Sequence, residues 1–187
     1  MNELLFKRLV TILLLSGYVV MPRRPLYWQM REDTHNSVAV SLMARNDFDT
    51  CMKYLHLADN GNLPKNDKFG KIRPLIDHLN KKCLENSVPE KNICIDESMV
   101  RYFGKHSAKQ YMKGKPTKYK IWCAATRLGY VITFEPYQGA GTFECDRTLG
   151  MAGTIVKELT SKLPRLPDCS YHIFLITSSR VCHSLFI

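Results

Sequence analysis

Residues 91–139 read KNICIDESMVRYFGKHSAKQYMKGKPTKYKIWCAATRLGYVITFEPYQG, and their interpretation decides the fold. Ile93, Cys94 and Ile95 make a short apolar run between polar residues, the pattern of a strand buried on both faces of a sheet. Asp96 and Glu97 follow at once. A carboxylate at the exit of such a strand has a rigid backbone behind it and solvent in front, so Asp96 is a candidate ligand for a hard cation such as Mg²⁺. Eight basic residues come next, Arg101, Lys105, Lys109, Lys113, Lys115, Lys118, Lys120 and Arg127, before the next acid at Glu135. A metal-type carboxylate beside an uninterrupted basic run points to a polyanion, with the six lysines as candidate phosphate contacts.

Outside this stretch, 187 residues suffice for one ordinary domain, or for one core with a helical extension. A composition 45% hydrophobic and 24% charged is that of a globular chain rather than a disordered one. The formal charge of +10 favours a nucleic acid or another anionic surface, although charge alone fits a merely soluble basic protein equally well. Seven cysteines, an odd number with no CxxC pair and no zinc-type Cys/His spacing, exclude a disulfide scaffold and a zinc module. Reduced thiols in a cytosolic or nuclear protein account for them. The apolar segment LVTILLLSGYVVM, residues 9–21, is shorter than the roughly 20 residues a bilayer span needs, and Pro22 stops it, so it reads as a buried core helix.

In chain order, residues 3–20 predict an apolar helix that its neighbours must cover on most of its circumference. Residues 35–56 predict one or two helices, the second capped by Asn46 or Asp47 and carrying Phe48, Cys51, Met52 and Leu55 at helical spacing. A turn-rich connection follows, and Ile72 to Leu84 returns to helix. Beyond the first strand, GKHSAKQYMKGKP is a Gly-, Lys- and Pro-rich connection, then Tyr119–Ala125 and Tyr130–Tyr137 form a hairpin about the turn at Arg127–Gly129. Thr148 to Leu163 places Met151, Ile155, Leu159 and Leu163 on one helical stripe that packs on the sheet. Tyr171 to Ile176 is the last strand.

The segments IDESMV, KQYMKGKPTKYKIW and GYVITFEPYQG resemble the piggyBac transposase family. Upstream GYVVMPRRPLYW, RNDFDTCMKYLHLADN and KNDKFGKIRPLIDHLNKK continue the likeness in order, so that it covers nearly the whole chain as far as Phe174. The resemblance implies an α+β (mixed α/β) protein, with a helical N-terminal region over residues 1–88, a partial ribonuclease-H-like catalytic core over 89–174 and a divergent tail over 175–187. It also implies that Asp96 is the first metal-binding aspartate, that Mg²⁺ is the cofactor, that DNA is the partner and that the protein works in the nucleus.

The likeness breaks at Leu175. In the family the last strand leads into Asp-Asn-Phe-Phe-Thr-Ser, whose Asp is the second metal ligand. Here Phe174 is followed by Leu-Ile-Thr-Ser-Ser-Arg-Val-Cys-His. A single lost nucleotide produces this substitution: TTT TTT GAT AAC TTC TTC ACG AGT TTG TCA T encodes Phe-Phe-Asp-Asn-Phe-Phe-Thr-Ser-Leu-Ser, and without one T it reads Phe-Leu-Ile-Thr-Ser-Ser-Arg-Val-Cys-His. The expectation is a C-terminally truncated family member whose reading frame slipped at Leu175. Sequencing the gene tests it, and a T run with no shifted Asp-Asn codons behind it would remove the idea.

Of the three aspartates the family supplies, only Asp96 is then retained; Asp146 and Asp168 fall outside the family's motifs. Mg²⁺ binding is expected to be weak or absent, strand transfer to be lost, and DNA binding through Lys105, Lys109, Lys113, Lys115, Lys118 and Lys120 to remain. Three alternatives stand beside this reading: a domesticated module that associates with full-length relatives through its helical half, an active fragment in which another acid substitutes, and a non-functional translation of a genomic relic. The slipped tail is expected to leave an edge of the sheet uncovered and to expose the apolar run VCHSLFI.

Overall fold

The computed structural model describes residues 2–88, 90–112, 115–139, 141–143, 148–164, 171–176 and 184–186. Its chain divides into two compact units, Met1–His56 and Leu57–Ile187.

In the first unit, helix α1 (Glu3–Tyr18) starts where the Asn2 side chain accepts the Leu5 N–H at 2.8 Å, satisfying one of the donors a helix start leaves open. Its Leu9 and Ile12 are buried with Met43 and Phe48. Around them stand a short 3-10 helix (Arg24–Trp28), α2 (Ser37–Leu42) and α3 (Arg45–Tyr54). Trp28 ties the group together: its indole N–H donates to the Met43 carbonyl at 2.8 Å and its ring lies 5.2 Å from that of Phe48. Two expectations are corrected here. Helix α3 begins at Arg45 without a side-chain cap, so Asn46 and Asp47 fall inside its first turn, where the Asp47 carboxylate favours the helix dipole instead. Helix α1 is not covered on most of its circumference, because three short helices are too few to wrap it; Leu14 is 64% exposed. No helix among the described residues is long and apolar enough to cross a membrane.

The second unit opens with α4 (Arg73–Glu85) and continues through β1 (Asn92–Arg101), β2 (Gln110–Met112), β3 (Lys115–Thr126), β4 (Val131–Pro136), α5 (Gly150–Ser161), β5 (His172–Ile176) and β6 (Ser184–Phe186). The strand order is β2-β3-β1-β5-β6, with β4 also on β3. Strand β1 pairs antiparallel with β3 and parallel with β5. β3 and β4 form the expected hairpin, and Gly129, at φ +86°, supplies the left-handed conformation its turn requires. A short strand, β2, lies inside what the composition alone marks as a connection.

Alternation along β1 fixes its two faces. Ile93 and Ile95 are fully buried with Ala124 of β3 and Ile173 of β5, under Ile155, Val156, Leu159 and Leu163 of the α5 segment. Burying each such aliphatic side chain stabilises by about 1.5–3 kcal/mol, which is what holds the helix on the sheet. Met151 sits at the exposed start of the stripe. The secondary structure changes from helix to strand between Glu85 and Asn92, but the compact units divide earlier, because α4 packs on β4. There the Asn80 carboxamide donates to the Phe134 carbonyl and accepts the Phe134 N–H, both at 2.9 Å, pairing with β4 as a neighbouring strand does. At the other margin β6 pairs antiparallel with β5, His172 opposite Phe186. Residues 184–186 form that strand, and the remainder of the expected apolar run, with 177–181, lies outside the described residues.

Candidate functional site

Asp96 sits in the middle of β1 rather than at a strand exit. Glu97 and Ser98 break the apolar run, yet β3 pairs with the strand beyond them as far as Arg101 opposite Lys118. What ends at Asp96 is the parallel pairing, which runs from Asn92 opposite His172 to Asp96 opposite Ile176. Asp96 therefore has Cys123 as its neighbour on β3 and Ile176 as its neighbour on β5. Its carboxylate accepts the Glu97 N–H at 2.7 Å. Burial, and then the nearby negative charge of Asp96, push the Cys123 thiol up to about 11. The thiol stays protonated at neutral pH.

These residues do not fit a two-cation centre. A hard divalent ion asks for several oxygens, and a pair of them asks for carboxylates converging from separate strands. Ile176 offers no donor, and Cys123 offers a protonated soft one. Glu97, one residue on, alternates to the opposite face and is ion-paired with Lys120. Among the described residues no group of three His, Cys, Asp or Glu side chains could hold a metal ion. Asp146 and Asp168 lie outside the described residues.

The candidate phosphate contacts divide among different environments. Lys105 is exposed. Lys118 stands opposite Arg101 in the β1–β3 register, which places two cations side by side. Lys109 folds back to donate to the Gly104 carbonyl at 2.8 Å and lies 5.8 Å from the Tyr102 ring. Lys120 is engaged by Glu97 and lies 4.2 Å from the Trp122 ring centroid, so much of its charge is compensated on the spot. Lys115 opens β3, and Lys113 lies outside the described residues.

An ion-pair group absent from the sequence reading anchors the loop before α4. Arg73 reaches Asp67 through Nε at 2.6 Å and Nη2 at 3.0 Å, and Glu135 of β4 through Nη1 at 2.7 Å. Lys162 lies 3.8 Å from the other Glu135 oxygen. The hydrogen bonds from Arg73 hold the Asp67 carboxyl below its usual range, and the two acids raise Arg73 in turn. Glu135 stands 62 positions from Arg73, too far for any local pattern to link the three.

A family model described as Transposase IS4 matches residues 4–180. The human PiggyBac transposable element-derived protein 3 is 42% identical over 169 residues, 89% of this chain. The chain belongs to the piggyBac transposase family. The human PiggyBac transposable element-derived protein 2 is 38% identical over 170 residues, 90% of this chain. The chain spans 28% and 29% of the lengths of these two piggyBac relatives. Among solved structures, that of a piggyBac transposase synaptic complex with hairpin DNA superposes with a TM-score of 0.78 at 24% identity, covering 92% of this chain and 36% of that one. The fold is thus the ribonuclease-H-like one of piggyBac transposase, an α+β fold with Asp96 on its central strand. The family generally uses a divalent metal, and in this piggyBac-family chain the register beside Asp96 presents an isoleucine.

Proposed function

We propose that this chain is a transposase-derived DNA-binding protein that neither cuts nor joins DNA. The observation that carries the reading is the β1–β5 register, in which the backbone position beside Asp96 belongs to Ile176. That is the residue the shifted reading frame substitutes for the family's second aspartate. A lone carboxylate binds Mg²⁺ weakly and has no partner with which to hold a second ion about 3.5–4 Å away. DNA as the partner class is supported by the +10 charge, by Lys105, Lys118 and Arg101 in the β1–β3 region, and by the DNA in the related piggyBac transposase complex. Affinity of this kind falls steeply with salt, because it rests on phosphate neutralisation and counterion release. Such a protein acts in the nucleus.

The test uses a supercoiled plasmid with and without Mg²⁺. The chain is expected to retard the plasmid at low salt, to release it as salt rises, and to leave it unnicked. Mg²⁺-dependent nicking that disappears in Asp96→Ala overturns the loss of catalysis; failure to bind at any salt overturns the DNA-binding half.

A second reading, association with transposase relatives through the helical unit, is favoured by one observation. Leu14, at 64%, and Val20, at 81%, leave apolar surface along and just after α1 that a partner would cover. Co-purification with a full-length relative that survives high salt and is lost on Leu14→Glu is the outcome expected of it; loss of the complex with rising salt counts against it.

A further inference from the structure

The second unit contains a cleft that the site around Asp96 does not use. It lies between residues 63–72 and the rings of Tyr102, His106 and Tyr119, with a volume of about 510 Å³, within the size range of small-ligand sites. Aromatic rings build it. Tyr102 and Tyr119 lie 4.6 Å apart at an interplanar angle of 34°, and Phe69 meets Tyr119 edge-on at 5.5 Å. His106 is held by both nitrogens: Nδ1 accepts the Ala108 N–H at 3.2 Å, so Nε2 carries the ring proton, 3.2 Å from the Lys68 carbonyl. Gly104 makes room for Tyr102, since a Cβ there would stand 2.4 Å from the tyrosine oxygen. The hydrogen bonds of His106 thus fix one side of the aromatic wall, and the missing side chain at Gly104 leaves Tyr102 its present position.

The rim of the cleft is basic. Lys65, Lys68 and Lys71 line it. Lys68 is committed to the Gln138 carbonyl at 2.8 Å, which leaves Lys65 and Lys71 exposed at its mouth. The acid in the lining, Asp67, is bonded twice by Arg73 and offers little free negative charge to a ligand. Flat π-faces with ammonium groups beside them suit a planar ring that carries a negative charge on its linker, which is the chemistry of an unpaired nucleotide. In a duplex the bases are stacked on one another and present no free face to such a wall.

We propose that this cleft binds single-stranded DNA, one base stacking on the Tyr102 and Tyr119 wall while the neighbouring phosphates meet Lys65 and Lys71. The site extends the DNA-binding reading above, with Lys65 and Lys71 as its phosphate contacts instead of Lys105 and Lys118. The experiment measures fluorescence anisotropy of the whole chain with a labelled oligothymidylate dodecamer, an abasic dodecamer with the same backbone, and a duplex of equal length. The wild type is expected to bind the oligothymidylate about tenfold more tightly than the abasic strand, and Tyr102→Ala to erase that preference. Reversing the two exposed lysines, K65E with K71E, tests the cleft without touching its core. It should weaken oligothymidylate binding roughly tenfold and duplex binding about twofold or less. Lys118→Glu should do the opposite, weakening the duplex and preserving the preference for bases over the abasic backbone. Equal binding of the oligothymidylate and abasic strands by the wild type overturns the cleft assignment, as does a preference that survives both sets of variants. Duplex binding with no such preference sinks the cleft alone, whereas loss of binding to all three probes sinks the wider DNA reading.

Discussion

Strand β1 has two flanks, and they were made in different ways. Toward β3 it is paired over nine positions, from Ile93 opposite Thr126 to Arg101 opposite Lys118. Toward β5 it is paired over five, and the pairing stops at Asp96. The antiparallel flank is local: β3 follows β1 after a short connection and β4 folds back on it through a tight turn. The parallel flank joins segments some eighty positions apart in the register, and hydrophobic packing under α5 brings them together. The fold of this flank is that of piggyBac transposase, and the residue at its end, beside Asp96, is Ile176. The strand and its tip are thus separable: Ile173 is buried in the core shared with β1 and α5, while Ile176 ends the pairing beside Asp96, so the proposed loss of a metal ligand there would leave the strand in place.

The sharpest way to break this comparison is to remove what holds the parallel flank. Ile173→Ala deletes a fully buried side chain from the cluster shared by β1, β5 and α5 and should destabilise the second unit by about 3 kcal/mol. Urea denaturation followed by circular dichroism measures it; a loss well under 1 kcal/mol would mean that β5 is not held by that core.

A smaller effect is expected beyond the antiparallel flank, where α4 meets β4. Arg73→Ala leaves Asp67 and Glu135 partly buried without their main cation, and should lose roughly 2 kcal/mol in the same assay after allowance for partial solvent screening. The pH dependence carries the sign. Because the folded Asp67 pKa lies below the unfolded one, its contribution is fully present above about pH 3.9 and disappears as pH falls through the folded value. Wild-type stability should therefore drop in that acid window by more than that of Arg73→Ala. Parallel acid profiles for the two proteins would show that the pair contributes nothing.

The smallest effect reads the charge at Asp96 itself. Asp96→Asn removes the lesser of the two causes that raise Cys123, so the thiol should move down from about 11 while remaining above the ordinary thiol value, because burial persists. Alkylation rate against pH under native conditions reports it. An unchanged profile would mean that the two side chains do not sense each other across β1 and β3.

Much of this architecture was legible because its signals are local. Ile93-Cys94-Ile95 announces a strand, Arg127 to Gly129 announces a turn, and Ile155, Leu159 and Leu163 announce a helical face. The strand carrying Asp96 was legible too, although its length was not, so that Asp96 lies mid-strand instead of at the exit. The remainder depended on partners distant in sequence. The extension of β1 through Glu97 to Arg101 is stabilised by pairing with β3, since Glu97, Ser98 and Arg101 interrupt the apolar run and only Met99 and Val100 continue it. Lys120 looks like one more phosphate contact in a basic run, and strand parity alone brings it to Glu97 and Trp122. The Arg73, Asp67 and Glu135 group and the Asn80 clasp on Phe134 carry no local pattern. Nor did the sequence reading reveal that Phe69 meets Tyr119 to close a cleft.

Calorimetric titration of the whole chain with Mn²⁺, a spectroscopically convenient substitute for Mg²⁺, tests the central claim most directly, with Asp96→Ala and Ile176→Asp measured alongside. The account predicts no tight site in the wild type, no change on Asp96→Ala, and measurable uptake only when Ile176→Asp places a second carboxylate beside the first. Two Mn²⁺ ions bound by the wild type and released by Asp96→Ala would contradict it.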